Sequence, residues 1–335
     1  MHLGIFAKTF PRPTLEETLD VLVERGFYHV QFNLSCVGLP TLPDRLDQDH
    51  CIWIARSFRQ RGLTMAAISG TFNLCDPDSE RLRENLRRLE GLAAACRWLD
   101  TRIITLCTGT LDPEDPWHWH PGNVRRSTWN SLVGSMRQAL AIADRHEVTL
   151  AFEPEINNVV NSISKARRLL DEIDSPWLKV VIDPANLIGP GQLPRVGETL
   201  EEAFDWLGSD IVLAHAKNPR DDEGSGRNLA ITEPVEPSMF WRLVQEFHIE
   251  TMWEKVPAAS REKLPVAARE SMMSGHPELR RGDLYRLFCF YYSYFTRLKE
   301  IKYDGVIAIH GLPESEAAIM RDFLTELLRM LDRSP

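Results

Sequence analysis

The chain has no long apolar run, no paired-cysteine motif and no excess of positive charge. No stretch of its 335 residues approaches the ~20 consecutive apolar residues that cross a bilayer as a helix, so a helical membrane protein is excluded. The opening residues, Met1-His2-Leu3-Gly4-Ile5-Phe6-Ala7-Lys8, are too short and too polar for the core of a secretory signal and read as a first β-strand. Six cysteines (Cys36, Cys51, Cys75, Cys96, Cys107, Cys289) are scattered without a C-x-x-C. That is the pattern of reduced, packed thiols in a cytoplasmic protein. A formal net charge of −9 repels phosphate backbones and argues against a nucleic-acid partner. No G-x-G-x-x-G follows the first strand, so an open dinucleotide-binding sheet lacks its usual sign.

What is present is an alternation. Hydrophobic residues at 43% and charged residues at 26% suit a soluble globular protein with a sizeable core. Eight short apolar runs read as strands: Leu3 to Ala7, His29 to Leu34, Leu63 to Ser69, Arg102 to Cys107, Val148 to Glu153, Leu178 to Asp183, Ile211 to His215 and Gly305 to His310. Val180-Val181-Ile182 and Ile211-Val212-Leu213 are apolar throughout, as parallel strands buried on both faces require. Amphipathic segments lie between them. Thr14 to Arg25 begins on a Thr with Glu17 three residues later and stops at Gly26, a capping box and a glycine stop. Further helices are expected over Asp78 to Trp98, Asn123 to His146, Ser162 to Ile173, Glu198 to Leu207, Asp283 to Lys299 and Glu314 to Leu331. Strand–helix alternation repeated eight times predicts an α/β fold, a single (β/α)8 TIM barrel over residues 1–335.

One stretch breaks the rhythm. Roughly ninety residues separate strands seven and eight, against about thirty for an ordinary βα unit. An insertion is therefore expected at about 219–281, rich in Pro and charge, with a helical piece near Met239 to Phe247. It reads as a surface elaboration, a dimer contact, or a lid over the carboxyl ends of the strands.

Three polar residues end otherwise apolar strands. Glu153 follows Val148-Thr149-Leu150-Ala151-Phe152, Asp183 follows Val180-Val181-Ile182, and His215 follows Ile211-Val212-Leu213-Ala214. Barrel active sites are built at that edge. Burying one such carboxylate costs several kcal/mol unless it is paired or bound to a metal. A helix-capping carboxylate or a His bonded to a backbone carbonyl would account for any one of the three. All three at one strand end point to a divalent ion, Mn²⁺, Mg²⁺, Co²⁺ or Zn²⁺, which accept such a mixed O/N set.

The strings Phe152-Glu153-Pro154-Glu155, Ile182-Asp183-Pro184-Ala185-Asn186-Leu187 and Ala214-His215-Ala216-Lys217 resemble the xylose isomerase-like barrel superfamily. It includes sugar-phosphate isomerases and epimerases and endonuclease IV. Ser69-Gly70-Thr71-Phe72-Asn73, Cys107-Thr108-Gly109-Thr110 and Trp117-His118-Trp119-His120-Pro121-Gly122-Asn123 are similar to one subgroup of its isomerase/epimerase-like members. The resemblance implies a metal held by Glu, Asp, His and a second Glu at the end of strand eight. The first three map onto Glu153, Asp183 and His215. Strand eight here ends in His310, which stands where that Glu is expected and offers an imidazole ligand instead. Glu314 or Glu316 could also reach in from the following turn. The resemblance often brings a D-x-x-H on strand six, and here that His is Asn186.

The resemblance further implies metal-assisted proton abstraction next to a carbonyl, with Glu153 and His310 as the proton-transfer pair and a small-molecule sugar or sugar acid as substrate. Lys217, Asn186, Glu155, Trp119 and His120 are candidate substrate contacts, and Glu155 is also an alternative base. Trp117 belongs to the same aromatic stretch as Trp119. His118 and His120 form an H-x-H in an irregular loop, weak as a metal signature. A sugar-type dehydratase or lyase and a non-catalytic metal- or sugar-binding barrel are the competing functions. Endonuclease IV-like chemistry is disfavoured, because Ser69, Gly70, Cys107 and Thr108 stand where a multi-zinc site would need ligands. Members of the superfamily often assemble, so a homo-oligomer is possible.

Overall fold

Each of the eight apolar runs forms a strand: β1 (His2–Phe6), β2 (His29–Phe32), β3 (Thr64–Ser69), β4 (Ile103–Cys107), β5 (Thr149–Glu153), β6 (Leu178–Ile182), β7 (Ile211–Ala216) and β8 (Val306–Ile309). The computed structural model describes residues 1–188, 195–220, 229 and 281–333. The strands pair in parallel in chain order, and β8 returns to β1 through His2↔Val306 and Ile5↔Ile309, closing the barrel. Two irregularities interrupt the register, one between Val30 and Gln31 on β2 and one between Val180 and Val181 on β6.

Helices surround the barrel: α1 (Leu15–Glu24), α2 (Gln48–Gln60), α3 (Ser79–Leu99), α4 (Arg126–His146), α5 (Ile163–Ile173), α6 (Pro184–Leu187), α7 (Val196–Leu207), α8 (Arg281–Glu300) and α9 (Glu314–Arg333). The capping box at Thr14 and Glu17 is formed on both sides. Helix α2 goes beyond the sequence expectation. It starts on Asp47, whose side chain accepts from the His50 N–H, and buries Cys51, Ile54, Ala55 and Phe58 at helical spacing. The helix expected from Asn123 begins at Arg126, because His120 caps a separate 3-10 turn over Pro121–Val124. The expected insertion, including Met239 to Phe247, lies almost entirely outside the described residues.

Strand alternation sorts the side chains into two sets. Val30, Phe32, Leu150, Phe152, Val180, Ile182, Ala214, Ala216, Ile307 and Ile309 join the large core cluster that includes the helix residues. Ala67, Ala151, Val181 and Leu213 form a second buried cluster drawn from strands alone, the barrel interior. A fully buried side chain such as Phe152 contributes about 1.5–3 kcal/mol by its transfer from water. The same period of two turns Gln31, Glu153, Asp183, His215 and His310 inward.

All six cysteines are free, and Cys51, Cys75, Cys96 and Cys107 are buried. Among the described residues no helix is long and apolar enough to cross a membrane.

Candidate metal centre

Asp183 directly follows β6 and caps α6, with Pro184 at the first helical position, where its missing N–H costs nothing. One carboxylate oxygen, Oδ1, accepts from the Ala185 and Asn186 N–H groups at 3.1 and 3.3 Å. Oδ2 is buried and has no hydrogen-bond partner. The helix-capping role that would explain an isolated aspartate therefore occupies only half of this carboxylate.

His215 sits on β7 opposite the orphaned oxygen. Its Nε2 is 2.7 Å from Gln31 Oε1. Its Nδ1 lies 3.3 Å from Glu153 Oε2 and 3.6 Å from Asp183 Oδ2, without a well-formed hydrogen bond to either. One ligand atom from each of Glu153, Asp183 and His215 falls within 4.8 Å of the other two. Asp183 and His215 are 0% and 2% exposed and the Glu153 side chain 21%, so the cluster opens to solvent on the Glu153 side.

The three groups of the cluster set one another's protonation. Burial alone would push the His215 imidazole down, but the Glu153 and Asp183 carboxylates outweigh it and raise it to about 9. Burial would likewise raise Glu153, yet the positive charge of His215, with His310 and Lys217 behind it, holds it at about 2. Asp183 is raised by its burial. A proton on His215 is thus what ties the two carboxylates together in the free protein. Two orphaned buried atoms, Asp183 Oδ2 and His215 Nδ1, converging with Glu153 Oε2 form a donor set that fits a divalent ion.

A family model described as the xylose isomerase-like TIM barrel matches residues 19–327. The chain belongs to that family. No curated protein sequence matches this xylose isomerase-like barrel. Solved structures do. The apo 3-keto-D-glucoside 4-epimerase of E. coli is 16% identical with a TM-score of 0.61, over 98% of this chain and 99% of that one. An IOLI protein with a bound zinc atom is 14% identical with a TM-score of 0.61, over 98% and 99%. A probable 3-DHS dehydratase from Bacillus anthracis is 13% identical with a TM-score of 0.60, over the whole of both chains. At such identities the likeness establishes the fold.

The other candidates of this xylose isomerase-like barrel fall into two groups. Asn186 and Lys217 join the centre. The Asn186 side-chain amide donates to Glu153 Oε1, and Lys217 Nζ donates to Asn186 Oδ1 at 2.5 Å. Glu155 is close enough to feel the Glu153 charge; burial first and that charge second raise it to about 7. It accepts from Asn158 Nδ2 at 3.2 Å. His310 is not one of the three clustered side chains; its ring stacks on His215 with centroids 4.9 Å apart. Glu314 is engaged elsewhere, in a two-point pair with Arg12 at 2.8 and 2.5 Å. Trp117 and Trp119 are exposed. His120 Nδ1 accepts from the Gly122 N–H at 3.0 Å, and His118 pairs with Asp112 at 2.8 Å, so the H-x-H is divided between two separate contacts.

Sequence reasoning passed over two features. Gln31 is a buried polar residue between Val30 and Phe32 of the core, a signal akin to that of Glu153 and His215. The second is a knot of buried asparagines joining the loops after β3, β4 and β5. Asn73 bonds Thr110 on both its N–H and its carbonyl, Asn123 bonds Thr110 and Leu111, and Asn158 accepts from the Gly109 N–H at 2.7 Å. Gly109 has φ +74°, and a Cβ there would meet Asn73 Oδ1 at 1.9 Å. Asn73, Gly109 and Thr110, from the strings Ser69 to Asn73 and Cys107 to Thr110, thereby serve the loop architecture.

Proposed function

We propose that this barrel is a metal-dependent isomerase or epimerase that moves a proton next to the carbonyl of a sugar or sugar acid. The observation that carries the reading is the convergence of Glu153 Oε2, Asp183 Oδ2 and His215 Nδ1, two of them buried and without partners. A divalent ion (Mn²⁺, Mg²⁺, Co²⁺ or Zn²⁺) held by these three residues supplies Lewis-acid polarisation of a carbonyl and its neighbouring hydroxyl. Three protein ligands leave positions open to substrate. The bound zinc of the IOLI structure and the presence of epimerases among the structural neighbours support the same reading.

The chain's own groups divide the remaining work. Asn186 holds Glu153 by one oxygen, so the other carboxylate oxygen keeps its direction. Lys217 holds Asn186 and has further N–H donors for a substrate oxygen. Glu155, raised to about 7, can take a proton and return it near neutral pH. Glu153 and Glu155 are therefore the proton-transfer pair in this reading, in place of Glu153 with His310. Burial and the neighbouring His215 lower His310 to about 3, which leaves a poor base. The exposed indoles of Trp117 and Trp119, with His120, offer faces for the apolar side of a sugar ring.

The test is solvent exchange. Protein loaded with Mn²⁺ or Co²⁺ is incubated with a panel of ketoses and keto acids in D₂O, and products are read by NMR. Deuterium at the carbon beside the carbonyl, lost on chelation and in Glu153→Gln, is the expected result. A product that has lost water would assign a dehydratase instead. Tight binding without exchange or turnover would assign a binding protein. Full activity in Glu153→Gln would sink the role given to Glu153.

A further inference from the structure

We infer that Gln31 is the positioning residue that makes His215 a metal ligand, acting across the barrel through a single hydrogen bond. The inference rests on the metal-centre reading above. Gln31 is on β2 and His215 on β7, and β1 and β8 stand between them around the wall. The 2.7 Å contact between Gln31 Oε1 and His215 Nε2 therefore bridges the barrel interior rather than two neighbouring strands. Both side chains are buried, 3% and 2% exposed.

The backbone is shaped for this contact. The pairing of β2 with β3 slips between Val30 and Gln31. Such irregularities re-aim side chains next to functional sites. A buried glutamine costs free energy unless its amide is bonded, and β2 offers no other reason for a polar side chain between Val30 and Phe32, which face the helices.

The chemistry follows from the amide oxygen. It can only accept, so it places the His215 proton on Nε2. When an ion displaces the second proton, the lone pair of Nδ1 is the one that faces Glu153 Oε2 and Asp183 Oδ2, which lie 3.3 and 3.6 Å from it. With the proton on Nδ1 instead, the ring could not ligate an ion at that position. Metal-ligating histidines are held in this way by an acceptor on the far ring nitrogen. A neutral amide does this without adding a third negative charge to a site that already has two.

The probe is Co²⁺, titrated against a chromophoric chelator and read also by its visible absorption, with wild type, Gln31→Leu and Gln31→Glu. Gln31→Leu removes the acceptor at similar volume and is expected to weaken Co²⁺ binding by about 10–100-fold. Gln31→Glu keeps an acceptor and is expected to bind at least as tightly as wild type. Independently of any variant, ¹⁵N NMR of the zinc-loaded wild type is expected to show the His215 proton on Nε2. The inference is overturned by Gln31→Leu binding Co²⁺ as wild type does, by both variants weakening it equally, or by a proton on Nδ1. A wild-type protein that takes up no Co²⁺ overturns the metal centre itself, an outcome distinct from these.

Discussion

The imidazole rings of His215 and His310 lie face to face, with centroids 4.9 Å apart and planes 16° apart, and Phe6 stacks on His310 as well at 5.1 Å and 12°. His310 thus continues an aromatic stack at the closure of β1 onto β8. The consequence is a prediction about the corner where the family places a second glutamate. His310→Phe preserves the stack, so Co²⁺ affinity is expected to stay within about threefold of wild type, since stacking contributes only about 0.5–1.5 kcal/mol. A drop of about 10–100-fold, the effect of losing a direct or supporting metal contact, would make His310 the fourth ligand. Chelator competition decides between the two.

Asn186 stands between Lys217 and Glu153, donating to the carboxylate and accepting from the ammonium. Hydrogen bonds to charged groups contribute about 1.5–3 kcal/mol. Asn186→Ala is therefore expected to lower kcat by about 10–100-fold on the substrate identified by solvent exchange. Asn186→Asp places a carboxylate beside Glu153 and is expected to shift the pH profile in addition. Unchanged kcat and profile in both variants would remove Asn186 from the machinery.

The barrel was legible because its strands obey a rule visible in one dimension. Runs such as Val180-Val181-Ile182 must be buried on both faces, and a polar residue ending such a run has few places to go but the barrel mouth. Glu153, Asp183 and His215 were found in that way. Gln31 carries a related signal in mid-strand, but its partner lies 184 residues away, a relation that only the closed barrel creates. Helix α2 was hidden because Ile52-Trp53-Ile54 blurs its period, while its buried face, Cys51, Ile54, Ala55 and Phe58, shows only once it packs. The asparagine knot was equally out of sight: Asn73, Asn123 and Asn158 look like loop residues until the three loops meet.

That knot yields a stability prediction. Asn73 accepts from the Cys75 and Thr110 N–H groups at 3.0 Å and donates to the Thr110 carbonyl at 2.8 Å. Asn73→Ala leaves two N–H groups and a carbonyl without their partner. A buried group left unsatisfied costs about 1–3 kcal/mol, so a loss of about 3 kcal/mol in urea unfolding is expected. A loss below about 0.5 kcal/mol, the range of ordinary surface substitutions, would show that water replaces the side chain and that the loops do not depend on it.

The last prediction concerns protons. In the metal-free protein His215 is raised to about 9 by Glu153 and Asp183, so at pH 7 it holds a proton on its way to the carboxylates. An ion that binds at Nδ1 must displace that proton. Between pH 6 and pH 8 the apparent metal affinity is therefore expected to rise about tenfold per pH unit and to level off near the His215 value, with about one proton released per ion. The sign is fixed by the direction of the shift: raising pH removes the competitor, and lowering it restores the pairing that replaces the ion. Isothermal titration with Mn²⁺ in buffers of different ionisation enthalpy measures the release directly. Affinity independent of pH across this window would mean that His215 is already neutral in the free protein, and the balance of charge assigned to the site would fail.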